Sequence, residues 1–489
     1  MNITPRRLLL WGFLTCLLFA CQPPAEDAQA EAKPALPNVI YILTDDLGYG
    51  DISCFGQETL KTPNIDQLAR EGMRFTQHYA GATVCSPSRA ALMTGLHTGH
   101  TPIRGNKPDG QLLPDSLTTL AEVFKQAGYR TGFFGKWGIG HPPPPDDPAR
   151  NGFDEAYGYI NMWHAHNCFP EFLYENGQKV ALPGNKLPDP NPWLEIRPEG
   201  TGVSAEKVTY APEQFRQRAL QFIEANQQQP FFLYLALNIP HANNEGLDDG
   251  MEVPDFGQYG EQDWPKQEKG FAAMMDIIDA TVGDIQAKLK DLGLDENTLV
   301  IFTSDNGPHE EGGHNADFFD SNGPLRGTKR DLYEGGVRIP MIARWVGTIP
   351  AGSSSDHLSA FWDMVPTACE LTGQAIPGGL DGISMLPTLI GEPGKQTQHE
   401  YLYWEFYELG GRQAIRQGPW KLVKLNVRDE DQPINTELYN LDQDLAETQN
   451  LAEQNPEKVA ELEALMEDAH RPLPLLSLFS NDVETDTPF

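Results

Sequence analysis

Four apolar runs rich in β-branched and aromatic residues recur along the chain, and amphipathic helical patterns lie between them. The apolar runs span residues 39–43, 131–134, 231–237 and 299–303, and the longest helical pattern spans residues 271–292. Strands that alternate with helices in this way form a mainly parallel sheet covered by helices. The pattern therefore predicts an α/β fold built around a large, mainly parallel mixed sheet flanked by helices.

Polar side chains directly follow each of these predicted strands. They are Asp45 and Asp46, Lys136, Asn238 and His241, and Asp305 and Asn306. Ligands of open α/β sheets bind outside the carboxyl ends of the strands. Because these ends meet at one rim, the sequence predicts one shared site assembled from segments that are far apart in the chain.

Late in the chain the pattern changes to short strands that look antiparallel, followed by a helical pattern. The strands are expected at residues 401–404 and 420–424, and the helix at residues 456–470. We assign residues 38–386 to a large domain and residues 387–489 to a smaller C-terminal α+β domain.

The N-terminus has the layout of an export signal. A pair of arginines precedes an apolar run over residues 8–20, which is too short to span a bilayer, so residues 1–20 are predicted to be a secretory signal. The run ends in Leu-Phe-Ala-Cys at Cys21, which resembles the lipobox at which bacterial lipoproteins are cut and acylated. The acidic, Pro- and Ala-rich residues 21–37 resemble a tether. We expect an exported, lipid-anchored chain in the periplasm or at the cell surface; plain cleavage before Glu26 is the alternative.

Acidic residues strongly outnumber basic ones. The chain has 69 Asp and Glu against 36 Lys and Arg, which gives a net charge of −33. This balance argues against nucleic acid or an anionic membrane surface as a partner. It would also repel an anionic substrate, so any site for sulfate or phosphate must be made locally positive by Arg, Lys or a bound cation.

The run Cys-Ser-Pro-Ser-Arg at residues 85–89 lies where a loop enters a short predicted helix, with Pro87 in the first turn. Cys85 would begin that helix, where exposed N–H groups and the helix dipole favour an anion, and Arg89 would share its face. The five residues match the pattern that marks a cysteine for oxidation to formylglycine, the aldehyde nucleophile of type I sulfatases. The alternative, a small buried cysteine, does not explain five matched positions.

Three carboxylates and one amide oxygen are predicted to meet at the strand ends. They belong to Asp45, Asp46, Asp305 and Asn306. Oxygen ligands suit a hard divalent cation such as Ca²⁺ or Mg²⁺, and we predict one calcium ion. Such pairs are often only helix caps or turns, but both pairs here follow apolar strands and accompany the Cys85 motif. A cation there would polarise a sulfate oxygen.

Over nearly its whole mature length, the chain resembles the type I, formylglycine-dependent sulfatases of the alkaline-phosphatase-like superfamily, and in particular secreted bacterial lipoproteins of that family. The matching segments lie within residues 38–51, 85–95, 134–137, 240–241, 297–307, 327–340 and 438–452. The resemblance implies the fold of that superfamily and the hydrolysis of a sulfuric ester. It also implies a maturation enzyme that converts Cys85 to formylglycine.

The resemblance implies a role for each matched residue. The calcium ligands correspond to Asp45, Asp46, Asp305, Asn306 and the modified Cys85. Arg89 corresponds to the residue that steadies the aldehyde hydrate, and Lys136 and Lys329 correspond to sulfate-binding lysines. His241 corresponds to the histidine that contacts the bridging ester oxygen. In the implied reaction the hydrate attacks sulfur in line, while His241 or Lys329 protonates the departing alcohol.

Gly138 departs from the family pattern. Many members have a histidine after Gly-Lys-Trp, whereas this chain has Gly138. That histidine helps to hold the formylglycine hydrate or serves as a base. In this chain that role is either absent or filled by His141 or a loop histidine. We expect Gly138 to reduce catalytic activity mildly rather than to abolish it.

Four further residues are candidate substrate contacts because they lie in loops beside the strand-end motifs. They are His164, His166, His309 of the run His309-Glu310-Glu311, and Arg326. An ordinary surface or core histidine is the equal alternative. In bacterial lipoproteins that resemble this chain, such loops recognise sulfated sugars, so we expect a sulfated carbohydrate of the galactose type as the substrate.

Two other functions remain open. A phosphoester or phosphonate hydrolase would use the same superfamily site, but a phosphatase typically needs a second metal, for which we find no further set of carboxylates and histidines. A glycan-binding lipoprotein that has lost catalysis would explain Gly138, but it would have no reason to retain an intact Cys85 motif.

Overall fold

The structure is a computed structural model that describes Met1 and Asn2 and residues 36–106, 112–140 and 148–473. The predicted signal, the Cys21 lipobox and almost all of the tether lie outside the described residues. Within the described part of the chain, no helix is both long and apolar enough to cross a membrane.

The described residues form a large mixed sheet of eleven strands. In chain order these are β1 Asn38–Asp45, β2 Met73–Tyr79, β3 Arg130–Lys136, β4 Glu155–Tyr159, β5 Phe172–Glu175, β6 Gln178–Ala181, β7 Phe231–Pro240, β8 Thr298–Ser304, β9 Arg338–Arg344, β10 Ser353–Ser355 and β11 Ser359–Ala360. The strand order is β10-β2-β9-β8-β1-β7-β3-β4-β5-β6, and β11 also pairs with β2. This architecture confirms the predicted α/β fold.

The helices of the described residues cover the sheet and connect its strands. They are α1 Pro63–Glu71, α2 Cys85–Thr94, α3 Leu120–Gln126, α4 Ala211–Ala225, α5 Lys266–Asp291, α6 Glu334–Val337, α7 Met364–Thr372, α8 Leu386–Leu389 and α9 Pro456–Ala469. The helical pattern predicted over residues 271–292 is α5, which begins five residues earlier.

The five central strands, β8, β1, β7, β3 and β4, are all parallel, and β9 runs antiparallel to β8. Thr44 at the end of β1 lies opposite Ser304 at the end of β8. On the other side of β1, Asp45 lies opposite Pro240 of β7 after a register shift. The carboxyl ends of these strands therefore meet at one rim, which places the residues that follow them side by side.

The sheet separates two hydrophobic layers because successive strand residues point to opposite faces. In β1, Ile40 and Ile42 pack into the layer that contains helices α1, α4 and α5. Val39, Tyr41 and Leu43 pack into the layer that contains α2, α3 and α7. All eight residues of β1 are buried, as expected for a central strand that is covered on both faces.

A second, antiparallel sheet forms the smaller C-terminal domain. Its strands are β12 Leu402–Phe406, β13 Arg412–Gln417, β14 Trp420–Leu425 and β15 Asn435–Asn440. One face packs on α9 through Ile415, Leu422 and Met466. The other face packs against the large domain, where Trp404 meets Tyr79. The boundary at residue 387 stays a prediction.

A buried network of charges joins the two domains. The Lys421 ammonium of β14 lies 2.9 Å from a carboxylate oxygen of Glu334 in α6 and 3.1 Å from one of Glu447. Burial alone would raise the pKa of Glu334, but Lys421, Arg416 and Arg338 outweigh it and hold that pKa at about 2. Lys421 and both carboxylates are fully buried, so removing the lysine would leave buried negative charge without compensation. Glu447 would lose its cation, whereas Glu334 would keep Arg338 and Arg416.

We expect Lys421→Met to lower the free energy of unfolding by about 3 kcal/mol or more, because it leaves the buried Glu447 carboxylate without its cation and removes one of the three cations that face Glu334. Chemical denaturation monitored by far-ultraviolet circular dichroism measures the change. Lys424→Met is the matched control, since Lys424 lies in the same strand but pairs with Glu463, which is more exposed. It should cost about 1 kcal/mol or less. Equal, small losses in both variants would contradict the assigned role of the network.

Candidate active site

Four oxygen-bearing side chains meet at the rim where β1 and β8 end. The backbone N–H of Asp46 donates to Asp305 Oδ1 at 3.1 Å, and Asn306 Nδ2 donates to Asp46 Oδ1 at 2.7 Å. Asp45 lies beside them, and all four residues are fully buried. Asp46 has a φ of 65°, in the left-handed region that Asp tolerates better than most residues. The structure thus brings together four of the five residues predicted as metal ligands, the fifth being Cys85.

Each strand-end carboxylate faces a cation that comes from a different element. Lys136, the last residue of β3, lies 2.6 Å from Asp45 Oδ2. Arg89 of α2 donates to Asp305 Oδ2 from Nε at 2.9 Å and from Nη2 at 2.7 Å. Lys329, in the loop before α6, lies 2.8 Å from an oxygen of Asp46. The structure thus brings together six of the predicted site residues: Asp45, Asp46, Arg89, Lys136, Asp305 and Lys329.

The charges in this cluster shift the pKa values of its members. Burial by itself would raise the pKa of Asp45, but Lys136, His241 and Arg89 outweigh it and hold that pKa well below its ordinary value. Asp305 differs, because burial and the charge of Asp45 raise its pKa to about 7 in spite of Arg89. Asp305 is therefore the carboxylate of the cluster whose charged form is stabilised least.

The oxygen donors of the cluster fit a bound cation. Asn306 Oδ1 is buried and accepts no hydrogen bond from the residues that the structure describes. Asp45 Oδ1 also accepts none, although Arg89 Nη2 lies 3.5 Å from it. An unpaired buried oxygen costs about 1–3 kcal/mol, so an additional positive partner would be stabilising. Ligand atoms of Asp45, Asp46 and His241 also lie within 4.8 Å of one another. Carboxylate and amide oxygens are ligands that calcium prefers.

Cys85 begins helix α2, as predicted, and its thiol is buried. The side chain of Asn106 lies 3.7 Å from Cys85 Sγ through its Nδ2 and accepts a hydrogen bond from the Ser86 N–H at 3.2 Å. Burial, together with the charge of Asp45, raises the pKa of the thiol, although Lys136 acts in the opposite direction. Cys85 is therefore a neutral thiol, and the charges of Asp45 and Lys136 both act on it.

The other residues of the Cys85 motif fasten α2 to the site. Ser88 Oγ donates to the backbone oxygen of Asp305 at 2.5 Å, and Ser86 Oγ donates to the backbone oxygen of Gly138 at 2.6 Å. Arg89 donates from its guanidinium to Asp305, as described above, and to the backbone oxygen of Lys136. The motif therefore holds the helix terminus in register with the ends of β8 and β3.

Gly138 lies against the cations of the site. Its φ is 73°, and a Cβ atom there would lie 3.2 Å from Arg89 Cδ and 3.4 Å from Lys136 Cε. A side chain at this position would therefore meet both residues and carry the strain of a left-handed backbone. His141, one candidate for the missing histidine's role, lies outside the described residues.

His241 and Lys329 form a hydrogen-bonded pair at the end of β7. His241 Nδ1 lies 2.5 Å from the backbone oxygen of Ala242, so Nδ1 carries the hydrogen and Nε2 accepts from Lys329 Nζ at 3.0 Å. Burial, with help from Lys329, lowers the pKa of His241 to about 3. Burial would also lower the pKa of Lys329, but Asp46 and Glu311 raise it well above its ordinary value. Lys329 thus carries the proton of the pair.

Two of the four candidate substrate residues lie beside His241. The His166 ring stacks on the His241 ring with centroids 4.8 Å apart, and the His309 ring stacks at 5.8 Å. His166 Nδ1 also hydrogen-bonds Glu245 Oε2 at 3.0 Å. Both histidines are buried and pack against the His241 ring, and both ring nitrogens of His309 are bonded within the protein, to the backbone of Pro240 and Glu311.

The other two candidates make their contacts elsewhere. His164 is buried among aromatic rings, with its ring centroid 5.0 Å from Tyr159 and 4.7 Å from Phe172. The Arg326 guanidinium lies over the Tyr333 ring and donates to Tyr439 of the C-terminal sheet at 3.0 Å. Aromatic packing and domain contact account for these two side chains, which favours a structural role over the predicted substrate contact.

Several residues that contact the cluster were not singled out from the sequence. Asn106 contacts Cys85 from a loop that has no periodicity or strand end to mark it. Glu311, predicted only as part of a histidine-containing run, binds Lys329 at 2.8 Å, and Arg330 binds Glu311 at 2.7 Å. The position of Arg330 directly after Lys329 was the one available signal.

Comparison with known proteins assigns the family. The family model for Sulfatase matches residues 37–374, and the model for the C-terminal part of N-sulphoglucosamine sulphohydrolase matches residues 327–471. The N-acetylgalactosamine-6-sulfatase of Canis lupus familiaris is 34% identical over 399 residues, covering 77% of this chain and 70% of that protein. Human arylsulfatase A is 34% identical over 422 residues, covering 80% and 75%.

A solved structure agrees with these sequence matches. The crystal structure of Ps i-CgsB in complex with k-i-k-neocarrahexaose has a TM-score of 0.72 and 27% identity, covering 89% of this chain and 94% of that chain. The chain therefore belongs to the sulfatase family of the alkaline-phosphatase-like superfamily and is a sulfuric ester hydrolase.

Proposed function

We propose that the chain removes sulfate from a sulfated carbohydrate, with a formylglycine made from Cys85 and one calcium ion. The observation that carries this proposal is the position of Cys85 at the N-terminus of α2, the helix whose Arg89 binds Asp305 of the strand-end carboxylates. The carbohydrate assignment is supported by relatives, since one acts on N-acetylgalactosamine 6-sulfate by its name and another is bound to neocarrahexaose.

The state of the unmodified cysteine supports the need for its conversion. The thiolate is the reactive form of cysteine, and burial with a neighbouring carboxylate disfavours it here. As formylglycine, residue 85 would supply an oxygen nucleophile in its hydrated form. The Asn106 side chain would help to orient that group, because its Nδ2 lies 3.7 Å from Cys85 Sγ while its Oδ1 accepts a hydrogen bond from the Ser86 N–H.

The proposed calcium ligands are the strand-end oxygens of Asp45, Asp46, Asp305 and Asn306, together with modified residue 85. Calcium bound there would supply a Lewis acid next to the transferring group. Asp45 Oδ1 and Asn306 Oδ1, which are buried without a hydrogen-bond donor among the described residues, support this assignment. Arg89 holds Asp305 in place, since its donors are directed at that carboxylate and at a backbone oxygen.

The cations of the site would stabilise the transferring sulfuryl group. Lys136 and Lys329 come from different elements and bind Asp45 and Asp46 respectively. Preorganised charges of this kind, buried in a dry site, require little reorganisation during reaction. We assign them the sulfate-binding role.

Lys329 is the proposed proton donor to the leaving alcohol. It carries the proton of the His241–Lys329 pair, and Asp46 and Glu311 fix its ammonium at 2.8 Å each. His241 accepts a hydrogen bond from Lys329, so it would direct the ammonium and share the proton. Of the two candidate proton donors that the sequence left open, His241 and Lys329, we therefore propose Lys329.

The remaining proposals rest on the sequence alone. They are residues 1–20 as signal, residues 21–37 as tether, lipid attachment at Cys21, export to the periplasm or cell surface, and catalytic and C-terminal domains divided near residue 387.

Coexpression with a formylglycine-generating enzyme should convert Cys85 and yield a protein that releases sulfate from sulfated mono- or oligosaccharides. Mass spectrometry of the tryptic peptide 75–89 measures conversion, and ion chromatography measures sulfate. Cys85→Ala is the control and should release none, because it cannot form the aldehyde. Converted protein that hydrolyses no sulfate ester would overturn the proposal and the expectation of a mild effect of Gly138. Activity confined to aryl or lipid sulfates would overturn the carbohydrate assignment.

Calcium should stabilise the metal-free protein, by about 2.7 kcal/mol at a free concentration one hundred times Kd. Differential scanning calorimetry with and without calcium measures the rise in Tm. Asp46→Asn should abolish the rise, since it removes a proposed ligand. Asp279→Asn is the matched control, because Asp279 is a largely buried carboxylate that binds the N-terminal amides of α1 instead. A rise that persists in Asp46→Asn would place calcium elsewhere.

Lys329→Met should slow sugar sulfates far more than nitrophenyl sulfate, because a poor leaving group needs protonation and a good one does not. We expect kcat/KM for the sugar sulfate, divided by kcat/KM for nitrophenyl sulfate, to fall by roughly 100-fold or more. Arg330→Met is the control, since Arg330 also binds Glu311 but is not the proposed donor. A uniform loss on both substrates would assign Lys329 to sulfate binding alone.

A further inference from the structure

The segment after β4 lies between two parts of the proposed reaction centre. Met162 Sδ lies 3.2 Å from the hydroxyl of Ser86, the neighbour of Cys85. Four residues further on, His166 stacks on His241. Trp163, half-buried, lies between these two contacts. The segment therefore contacts both the neighbour of Cys85 and His241.

The Trp163 ring contacts an arginine. The Arg197 guanidinium carbon lies 4.9 Å from the centroid of the Trp163 ring. Arg197 Nε lies 3.7 Å from Glu245 Oε1, while the other oxygen of Glu245 bonds His166. The Glu245 side chain is 3% exposed and that of Arg197 is 30% exposed. The arginine is thus held by buried groups at its base and open at its tip.

Arg197 forms one ion pair, to Glu245, and its N–H donors make no hydrogen bond to the residues that the structure describes. Its Nε is buried without such a partner. The cations of the reaction centre differ, because Arg89, Lys136 and Lys329 all bind carboxylates within 3 Å. The terminal N–H groups of Arg197 are therefore available to bind an anion.

The chain as a whole is strongly acidic. A net charge of −33 repels an anionic substrate at long range. A guanidinium at the mouth of the site would offset that repulsion locally. Its planar arrangement of N–H donors matches both carboxylate and sulfate groups.

We propose that Arg197, supported by Trp163 and Glu245, forms a second anion-binding subsite that recognises a carboxylate or a further sulfate on the saccharide substrate. This inference rests on the proposed function and narrows the substrate class to acidic saccharides with at least two anionic groups. Two side chains, Glu245 and His166, separate Arg197 from His241. The second anion therefore lies on the sugar that carries the reactive sulfate or on its neighbour.

The test compares kcat/KM of converted enzyme on three kinds of substrate: a nitrophenyl sulfate, a monosulfated neutral disaccharide, and disaccharides that add either a uronate carboxylate or a second sulfate. Arg197→Ala should lower kcat/KM for a doubly anionic substrate by roughly ten- to a hundredfold, mainly through KM. Nitrophenyl sulfate should change less than twofold. Arg197→Lys should retain part of the preference for doubly anionic substrates. The substrate whose kcat/KM depends on Arg197, the uronate or the disulfated disaccharide, identifies the anion that the subsite binds.

Arg218→Ala is the matched control. Arg218 also lies over an aromatic ring, that of Tyr157 at 4.6 Å, and pairs with Glu175 at 2.8 Å. It belongs to α4, which covers a face of the sheet rather than its rim. This variant should leave the substrate preference unchanged, so it separates the loss of any exposed arginine from the loss of the subsite.

Binding tests the subsite even without turnover. In a Cys85→Ser background, isothermal titration calorimetry with the doubly anionic disaccharides should show Arg197→Ala weakening affinity by a similar factor. Unchanged affinity, or equal losses of kcat/KM on all substrates, would overturn the subsite. Absence of sulfate release by the converted wild type, with Arg197-dependent binding retained, would instead overturn the proposed function and leave the subsite supported.

Discussion

Burying several carboxylates at the end of a parallel sheet is the constraint on which the rest of this structure depends. Asp45, Asp46 and Asp305 are fully buried, and an unpaired buried charge is too costly to keep. Each is therefore matched by a cation from another element, Arg89 or one of the two lysines. Helix α2, strand β3 and the loop before α6 must all converge for the fold to be stable, and this convergence is also the site.

The same pairing fixes the protonation states of the site before any substrate arrives. Lys329 stays charged because carboxylates surround it, whereas His241 stays neutral because it is buried against that ammonium. Arg89 is committed to Asp305 and to backbone, so it shapes the site through the residues it holds. Such preorganisation is the physical basis on which a sulfuric ester hydrolase can stabilise a charged transition state.

The reaction centre and the proposed second subsite are built from different parts of the chain. Strand ends and the α2 motif supply the buried centre, whose geometry is tied to the register of the sheet. Loop residues such as Trp163 and Arg197, which form the proposed second subsite, retain exposed surface. Loops on a rigid scaffold can vary without disturbing the centre, which is how members of one family can act on different substrates.

The sequence by itself determined the α/β fold, the smaller C-terminal domain and the residues at the strand ends, because apolar periodicity marks strands and parallel strands share a rim. It also determined Cys85 and Arg89, whose motif is local. Tertiary structure alone decided which of two neighbouring histidines packs against His241: His166 stacks on its ring, whereas His164 packs among aromatic rings.

Long-range packing decided the remaining contacts for the same reason. Arg326 and Arg330 lie four residues apart, yet one binds the C-terminal sheet and the other binds Glu311. Asn106 reaches Cys85 from a loop without any pattern of its own. Local sequence encodes which faces are buried, but the partner of a polar side chain is set by contacts between segments that only the folded chain brings together.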